Sequence, residues 1–234
     1  MIVKTAVILA GGLGTRLRST VPNLPKPMAL IHDRPFLEYQ MAYWIAQGVD
    51  NFILSVGYKS EIIIEHFGSS WKGAPIKYVV EQAPLGTGGG LLLAAKELED
   101  PFLVLNGDTF FEVDFKKMKQ FHNVHHAEWT FALFQTSEVG RYMGMEVSSS
   151  GRVNSLQSNM TRPNRLANGG VYLLEPSVLD KYQNSSTEKV SIEDDILPYL
   201  YSQGSRIFGI EQHGRFIDIG VPEDYRRASE VVII

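Results

Sequence analysis

The sequence predicts an α/β fold with a mixed sheet, on three observations. In the first half, short apolar runs of strand length alternate with helix-like stretches, the pattern of parallel βαβ units. In the second half the strand-like runs are shorter, and turns rich in Gly, Ser and Asn separate them. The 234 residues, 44% hydrophobic and 21% charged, fit one globular domain.

The elements follow in order. Residues 6–10 form an apolar run closed by Gly11-Gly12, which reads as a fully buried strand. A helix is expected next, with Asp33 as N-cap, Pro35 in its first turn and Gly48 past its end. Leu37, Met41, Trp44 and Ile45 recur at helical spacing and form its core stripe. Strands are predicted at 51–56, 76–80 and 102–105, and helices at 60–67 and 88–98. Further on, strands are expected at 129–134, 145–147, 153–156 and 171–174, and helices at about 176–182, 192–202 and 222–232. No repeat, low-complexity tract or charged linker interrupts the chain. The expectation is a single Rossmann-like domain over 1–234 with helices on both faces.

Composition excludes several functions. Lys and Arg number 22 against 26 Asp and Glu, a net charge of −4, which argues against non-specific binding to nucleic acid or an anionic membrane. The absence of cysteine removes disulfides, thiolate zinc sites and cysteine nucleophiles together. No apolar run approaches the ~20 residues of a membrane span, and no signal-like segment opens the chain. A soluble, cytoplasmic protein is expected.

The strand at 6–10 runs into Gly11-Gly12-Leu13-Gly14-Thr15-Arg16-Leu17-Arg18. Glycines after a parallel strand allow close approach to a phosphate, and exposed N–H groups can bind it. Leu17 stands where a dinucleotide fingerprint needs glycine, and no Gly-Lys-Ser/Thr supplies a P-loop. Glycines alone would read as a surface loop with solvated basic residues. The whole string, with Leu24-Pro-Lys-Pro-Met28 following, does not.

That string resembles the signature of the sugar-1-phosphate nucleotidylyltransferases. The resemblance continues in the family's order through most of the chain: Pro84-Leu-Gly-Thr-Gly-Gly-Gly90, Asn106-Gly-Asp108, Asn168-Gly-Gly170 and Phe216-Ile-Asp-Ile-Gly220. It implies the nucleotide-diphospho-sugar transferase fold, with a nucleotide-binding half over about 1–110 and a sugar-phosphate half over about 111–234. It also implies attack of a sugar 1-phosphate on the α-phosphorus of a nucleoside triphosphate. Two anions must meet there, so catalysis rests on positioning and charge neutralisation.

The resemblance supplies parts for that chemistry. Leu9, Ala10, Gly11, Gly12, Gly14 and Thr15 would surround the nucleotide. Arg16 would hold the departing pyrophosphate, and Lys26, between Pro25 and Pro27, would bridge toward the α-phosphate. Gln82, Pro84, Gly86, Thr87 and Gly88 would contact the base, although an amide and a backbone both donate and accept and so do not name it. Asp108, after a strand, and Asp218, in an apolar stretch where an unpaired charge is costly, would share Mg²⁺. Gly144, Asn168 and Gly169 would contact the sugar. Asp114, Glu193, Asp194 and Asp195 read as caps and solvated faces, and His125-His126 as exposed polar helix.

One departure stands out. Many members carry Glu-Lys-Pro for the sugar hydroxyls and phosphate, where this chain has Ser158-Asn159. Arg162 or Arg165 is expected to take the phosphate, with Lys189 the weaker candidate. Short members with this glycine loop and no Glu-Lys pair resemble the heptose-1-phosphate guanylyltransferases. N-acetylmuramate-1-phosphate uridylyltransferase and mannose-1-phosphate guanylyltransferase chemistry remain alternatives. GTP and a manno-configured heptose 1-phosphate are the expected substrates, and a homodimer is one admissible assembly. An inactive nucleotide-sugar sensor is the reading from another class, which intact Arg16, Lys26, Asp108 and Asp218 disfavour. A glycosyltransferase would need Asp-x-Asp, and Asp108-Thr-Phe110 lacks the second carboxylate.

Overall fold

The computed structural model describes residues 2–17, 20–138, 140–157, 165–182 and 189–232. The first half runs β1 (Thr5–Ala10), a 3₁₀ turn (Lys26–Met28), β2 (Leu30–Ile31), β3 (Arg34–Pro35), α1 (Phe36–Ala46), β4 (Asn51–Val56), α2 (Ser60–Phe67), β5 (Ser70–Trp71), β6 (Ala74–Val80), α3 (Gly86–Ala94) and β7 (Phe102–Asn106). There follow β8 (Thr109–Phe111), α4 (Phe115–Val124), β9 (Trp129–Thr136), β10 (Gly144–Val147), β11 (Val153–Gln157) and β12 (Arg165–Leu174). The chain then forms α5 (Ser177–Asp180), a π-helical turn (Ile192–Ile196), α6 (Leu197–Ser202), β13 (Ile207–Glu211), β14 (Phe216–Asp218) and α7 (Pro222–Val231).

β7, β1, β4 and β6 lie side by side and parallel. β12 joins antiparallel to β7 and carries β9 on its other edge, and β13 runs parallel to β9. β10 pairs with the start of β12 and with β11. The mixed sheet forms because parallel crossovers end at β7 and antiparallel connections take over.

Alternation along the strands distributes the core. Ala6, Ile8, Ala10, Leu103 and Leu105 face α1, α2 and α4, where Leu37, Met41, Trp44, Ile63, Phe67, Phe115 and Met118 pack. Val7, Phe102 and Val104 face α3, α5 and α6 through Leu91, Val178, Leu179 and Leu200. Helices therefore cover both faces, as expected.

Two local expectations are corrected. Asp33 does not cap α1: His32 and Asp33 both have positive φ, 47° and 61°, and make the two-residue turn of the β2–β3 hairpin. Pro35 precedes the helix instead. A cap contributes about 1 kcal/mol, whereas burying Leu37, Met41 and Trp44 contributes roughly 1.5–3 kcal/mol each, so α1 holds without one. His125 and His126 form the turn after α4, not part of it. The Asp114 side chain does cap α4, accepting from the Lys117 amide.

Candidate active site

The C-terminal end of β1 opens into a cavity of about 390 Å³. Leu9, Gly11, Gly12, Gly14, Thr15, Pro84, Gly86, Thr87 and Asp108 line it, together with Glu81, Asn106 and Lys189. Its location at strand ends is where open α/β sheets place ligands. The glycines are needed for proximity: a Cβ on Gly11 would lie 2.3 Å from Glu81 Oε1, and one on Gly107 2.7 Å from the Leu9 carbonyl oxygen. Gly14 has φ +58° and abuts the stem of Lys26.

Four predicted residues sit elsewhere. Ala10 is buried beneath the loop. Gly88 is buried and its amide donates to the Val190 carbonyl at 2.8 Å, so that N–H is committed to the fold. The bare Cα faces of Gly86 and Gly88 let α3 approach the Val190 segment, where a Cβ on either would come within 2.7 Å. Gln82 is exposed and does not line the cavity, and Arg16 is exposed in the turn after the loop. Glu81, one residue before Gln82, is the side chain inside: it accepts from Ser55 Oγ at 3.2 Å and the Leu85 amide at 3.0 Å.

A charge centre lies at the cavity's end. The β8–β14 ladder pairs Thr109 with Asp218, and the Ile219 amide donates to the Asp108 carbonyl at 2.9 Å. Asp108 and Asp218, 110 residues apart in the chain, are thereby neighbours. Lys26, 11% exposed in its side chain, bonds Asp108 Oδ2 and lies 4.0 Å from Asp218 Oδ1. Burial, then the charge of Asp108, pushes the Asp218 carboxyl above its ordinary range. The turn carrying Asp108 is held from α1: Gln40, 1% exposed, donates to the carbonyls of Asn106 (2.8 Å) and Thr109 (2.7 Å).

On the other side, β12 breaks register at Asn168-Gly169-Gly170. Asn168 accepts from the Gly170 amide, donates to Tyr172 Oη at 2.9 Å, and its own amide donates to the Met143 carbonyl beside Gly144. Gly169 packs against the Phe111 ring, where a Cβ would lie 2.5 Å away. Arg165 is not a solvated loop arginine: it is 4% exposed on β12, and its Nη2 donates to the Glu138 and Tyr142 carbonyls, which ties the β9–β10 connection to β12. Arg162 and the Ser158-Asn159 pair lie outside the described residues.

Sequence reading missed Glu81 and Gln40 and placed Glu193 on a solvated face. Glu193 is instead half-buried against Tyr172 and Thr87. The detectable signal was polar residues inside otherwise apolar or glycine-rich runs.

This arrangement defines a class, and the chain belongs to the nucleotidyl transferase family, whose model matches residues 5–233. More particularly, the chain is 42% identical to D-glycero-alpha-D-manno-heptose 1-phosphate guanylyltransferase of Aneurinibacillus thermoaerophilus, over 96% of each chain. It is 40% identical to the enzyme of that name from Campylobacter jejuni, over 94% of this chain and 96% of that one. Mannose-1-phosphate guanyltransferase of Schizosaccharomyces pombe is 35% identical over 94% of this chain but 62% of its own length. The crystal structure of HddC from Yersinia pseudotuberculosis superposes with TM-score 0.84 and 35% identity, covering 97% and 98% of the two chains. A structure of HddC complexed with GMP-PN gives TM-score 0.82 and 34% identity, over the same shares.

Proposed function

We propose that this protein transfers GMP from GTP to D-glycero-α-D-manno-heptose 1-phosphate, giving GDP-heptose and pyrophosphate, in the cytoplasm. The observation that carries this reading is the meeting of Lys26, Asp108 and Asp218 at the end of a glycine-walled cavity, in a chain so similar to the two heptose 1-phosphate guanylyltransferases. A phosphate oxygen of the sugar 1-phosphate forms the new bond to the α-phosphorus. The bond from that phosphorus to the α,β-bridging oxygen breaks, and its electron pair leaves with pyrophosphate.

The nucleotide occupies the half built from about 1–110. Amides of Gly11, Gly12 and Gly14 face the triphosphate, Arg16 folds onto the departing pyrophosphate, and Lys26 turns from the carboxylates toward the α-phosphate. Glu81 favours guanine: its carboxylate only accepts, and guanine presents two adjacent donors, N1–H and the N2 amino group, where uracil presents one. The sugar phosphate occupies the half from about 111–234, with Asn168, Gly144 and Gly169 at the ring and Lys189 toward the phosphate.

Members of the family typically use a divalent metal, and the residues fit one. A cation, the Lys26 ammonium, already stands between the two carboxylates. Among the described residues no third His, Asp or Glu joins them, so phosphate oxygens and water would complete the shell of a Mg²⁺ held by Asp108 and Asp218. When bound, such an ion neutralises charge where the two phosphates meet.

The test is a matrix of four nucleoside triphosphates against several sugar 1-phosphates, read by pyrophosphate release in Mg²⁺. GTP with the heptose 1-phosphate is expected to give the highest kcat/KM. Turnover of UTP with an N-acetylated sugar phosphate, and none of GTP, would assign the chain to the uridylyltransferases. Ligand binding without turnover anywhere in the matrix would make it a sensor.

A further inference from the structure

We propose that Glu193 is a specificity-determining residue that accepts hydrogen bonds from ring hydroxyls of the acceptor sugar; this rests on the sugar-phosphate reading above.

Three acidic residues stand in a row in the π-helical turn Ile192–Ile196, and the turn separates them. Ser191 caps it, its hydroxyl accepting from the Asp194 amide at 3.0 Å, while Asp195 Oδ2 accepts from the Ser191 amide at 2.7 Å. Asp194 and Asp195 are exposed, and Glu193 turns inward. Thr87 Oγ1 accepts from the Ile192 amide at 3.0 Å, which locks the turn to the start of α3, at the wall of the nucleotide cavity.

Inside, Glu193 has poor partners. Oε1 faces Tyr172 Oη, and Oε2 faces the hydroxyls of Thr87 and Ser191, all at 3.4 Å. These are long for bonds to a carboxylate, which normally run near 2.5–2.9 Å. Among the described residues no Lys, Arg or His comes within ion-pair distance of it. Burial pushes its carboxyl upward, as expected of an acid whose solvation has not been replaced.

Glu193 borders a second cavity of about 330 Å³, whose wall also includes Arg141, Tyr142, Met143, Leu156 and, at its exposed side, Asp194. This space adjoins both substrates' territory. Asn168 reaches Glu193 through Tyr172, and Thr87 belongs to the nucleotide cavity. Arg141 is already held by Asp224 and Glu138, so the wall offers no free cation to Glu193. A neutral polyol supplies what it lacks: hydroxyl donors, held by a rigid acceptor. An acceptor left unpaired by a deoxygenated sugar discriminates strongly.

The experiment measures steady-state kinetics of wild type, Glu193→Gln and Glu193→Ala with GTP, the heptose 1-phosphate and its 2-, 3- and 4-deoxy analogues. Thermal melts accompany each variant. Glu193→Ala should raise KM for the sugar phosphate by roughly 10- to 100-fold, the effect of losing a charge-assisted hydrogen bond, with KM for GTP little changed. Glu193→Gln, nearly isosteric, should fall between. For at least one deoxy analogue the wild type and Glu193→Ala should have equal KM, because the bond is already missing. Overturning results are equal shifts in both KM values, an unchanged sugar KM, or a penalty that persists undiminished on every deoxy analogue; a merely structural role would give the first or last. Absence of turnover by the wild type would count against the guanylyltransferase reading itself, and is distinguishable because it does not depend on the variant.

Discussion

The end of the site proposed for the nucleotide and the end proposed for the sugar are made of different material. At the nucleotide end, parallel β1 delivers a loop whose recognition surface is backbone, with Gly11, Gly12 and Gly14 stripped of side chains. At the sugar end, antiparallel β12 breaks at Asn168 and presents a chain of side chains, Asn168, Tyr172 and Glu193. A triphosphate is the same in every nucleotide, so backbone amides suffice for it. Sugars differ hydroxyl by hydroxyl, so discrimination falls to side chains. The Lys26–Asp108–Asp218 centre joins the two ends.

The comparison breaks first at that centre. Asp108→Asn and Asp218→Asn should each lower kcat about 100- to 10,000-fold, the scale of removing several kcal/mol of charge stabilisation. Pyrophosphate release at saturating Mg²⁺ measures this, alongside circular dichroism showing an unchanged fold. Neither KM should account for the loss. At the nucleotide end, Glu81→Gln should cut kcat/KM for GTP roughly 10- to 100-fold and narrow the gap to the other triphosphates, with the heptose 1-phosphate held constant.

The two basic residues weighed for the sugar phosphate, Lys189 on the glycine-walled cavity and Arg165 on β12, should then separate. Lys189→Ala is expected to raise the sugar-phosphate KM by about tenfold with no change in melting temperature. Arg165→Met should do the reverse, costing about 1–3 kcal/mol in urea unfolding through the buried carbonyls it leaves unpaired, with both KM values intact.

That contrast also marks how far the sequence could be read. β4 and α2 match their expected bounds residue for residue, because continuous apolar runs and helical periodicity depend only on neighbours in the chain. The glycine loop, Asp108 and Asp218 were legible as motifs. Arg165 was not, since whether an arginine in a loop-like stretch faces solvent or two carbonyls is set by strand pairing with β9. Glu193 looked like its neighbours Asp194 and Asp195 until the π-helical turn separated them. The sequence reading took Gln82 for the base, and only the register of the loop after β6 decides that Glu81 is the one that enters the cavity.

On α4, and lining neither cavity of the site, His122 gives a control of smaller size. It is buried, bonded through Nδ1 to Thr130 Oγ1 at 2.8 Å, with Nε2 3.4 Å from Glu175 Oε1, and burial lowers its pKa to about 4 from an ordinary 6.5. Its folded value lies below its unfolded one, so the stability it contributes is complete above about pH 6.5 and is lost as pH falls toward 4. Urea unfolding should show a slope of up to about 1.4 kcal/mol per pH unit in that window. His122→Asn should flatten that slope, while kcat/KM at pH 7 stays near wild type.

The division of labour between the two ends is tested most directly by Asn168→Ala, with KM for GTP and for the heptose 1-phosphate measured in one assay. The sugar-phosphate KM should rise by about tenfold while the GTP KM stays close to wild type. Equal rises in both, or a rise confined to GTP, would contradict that division of labour.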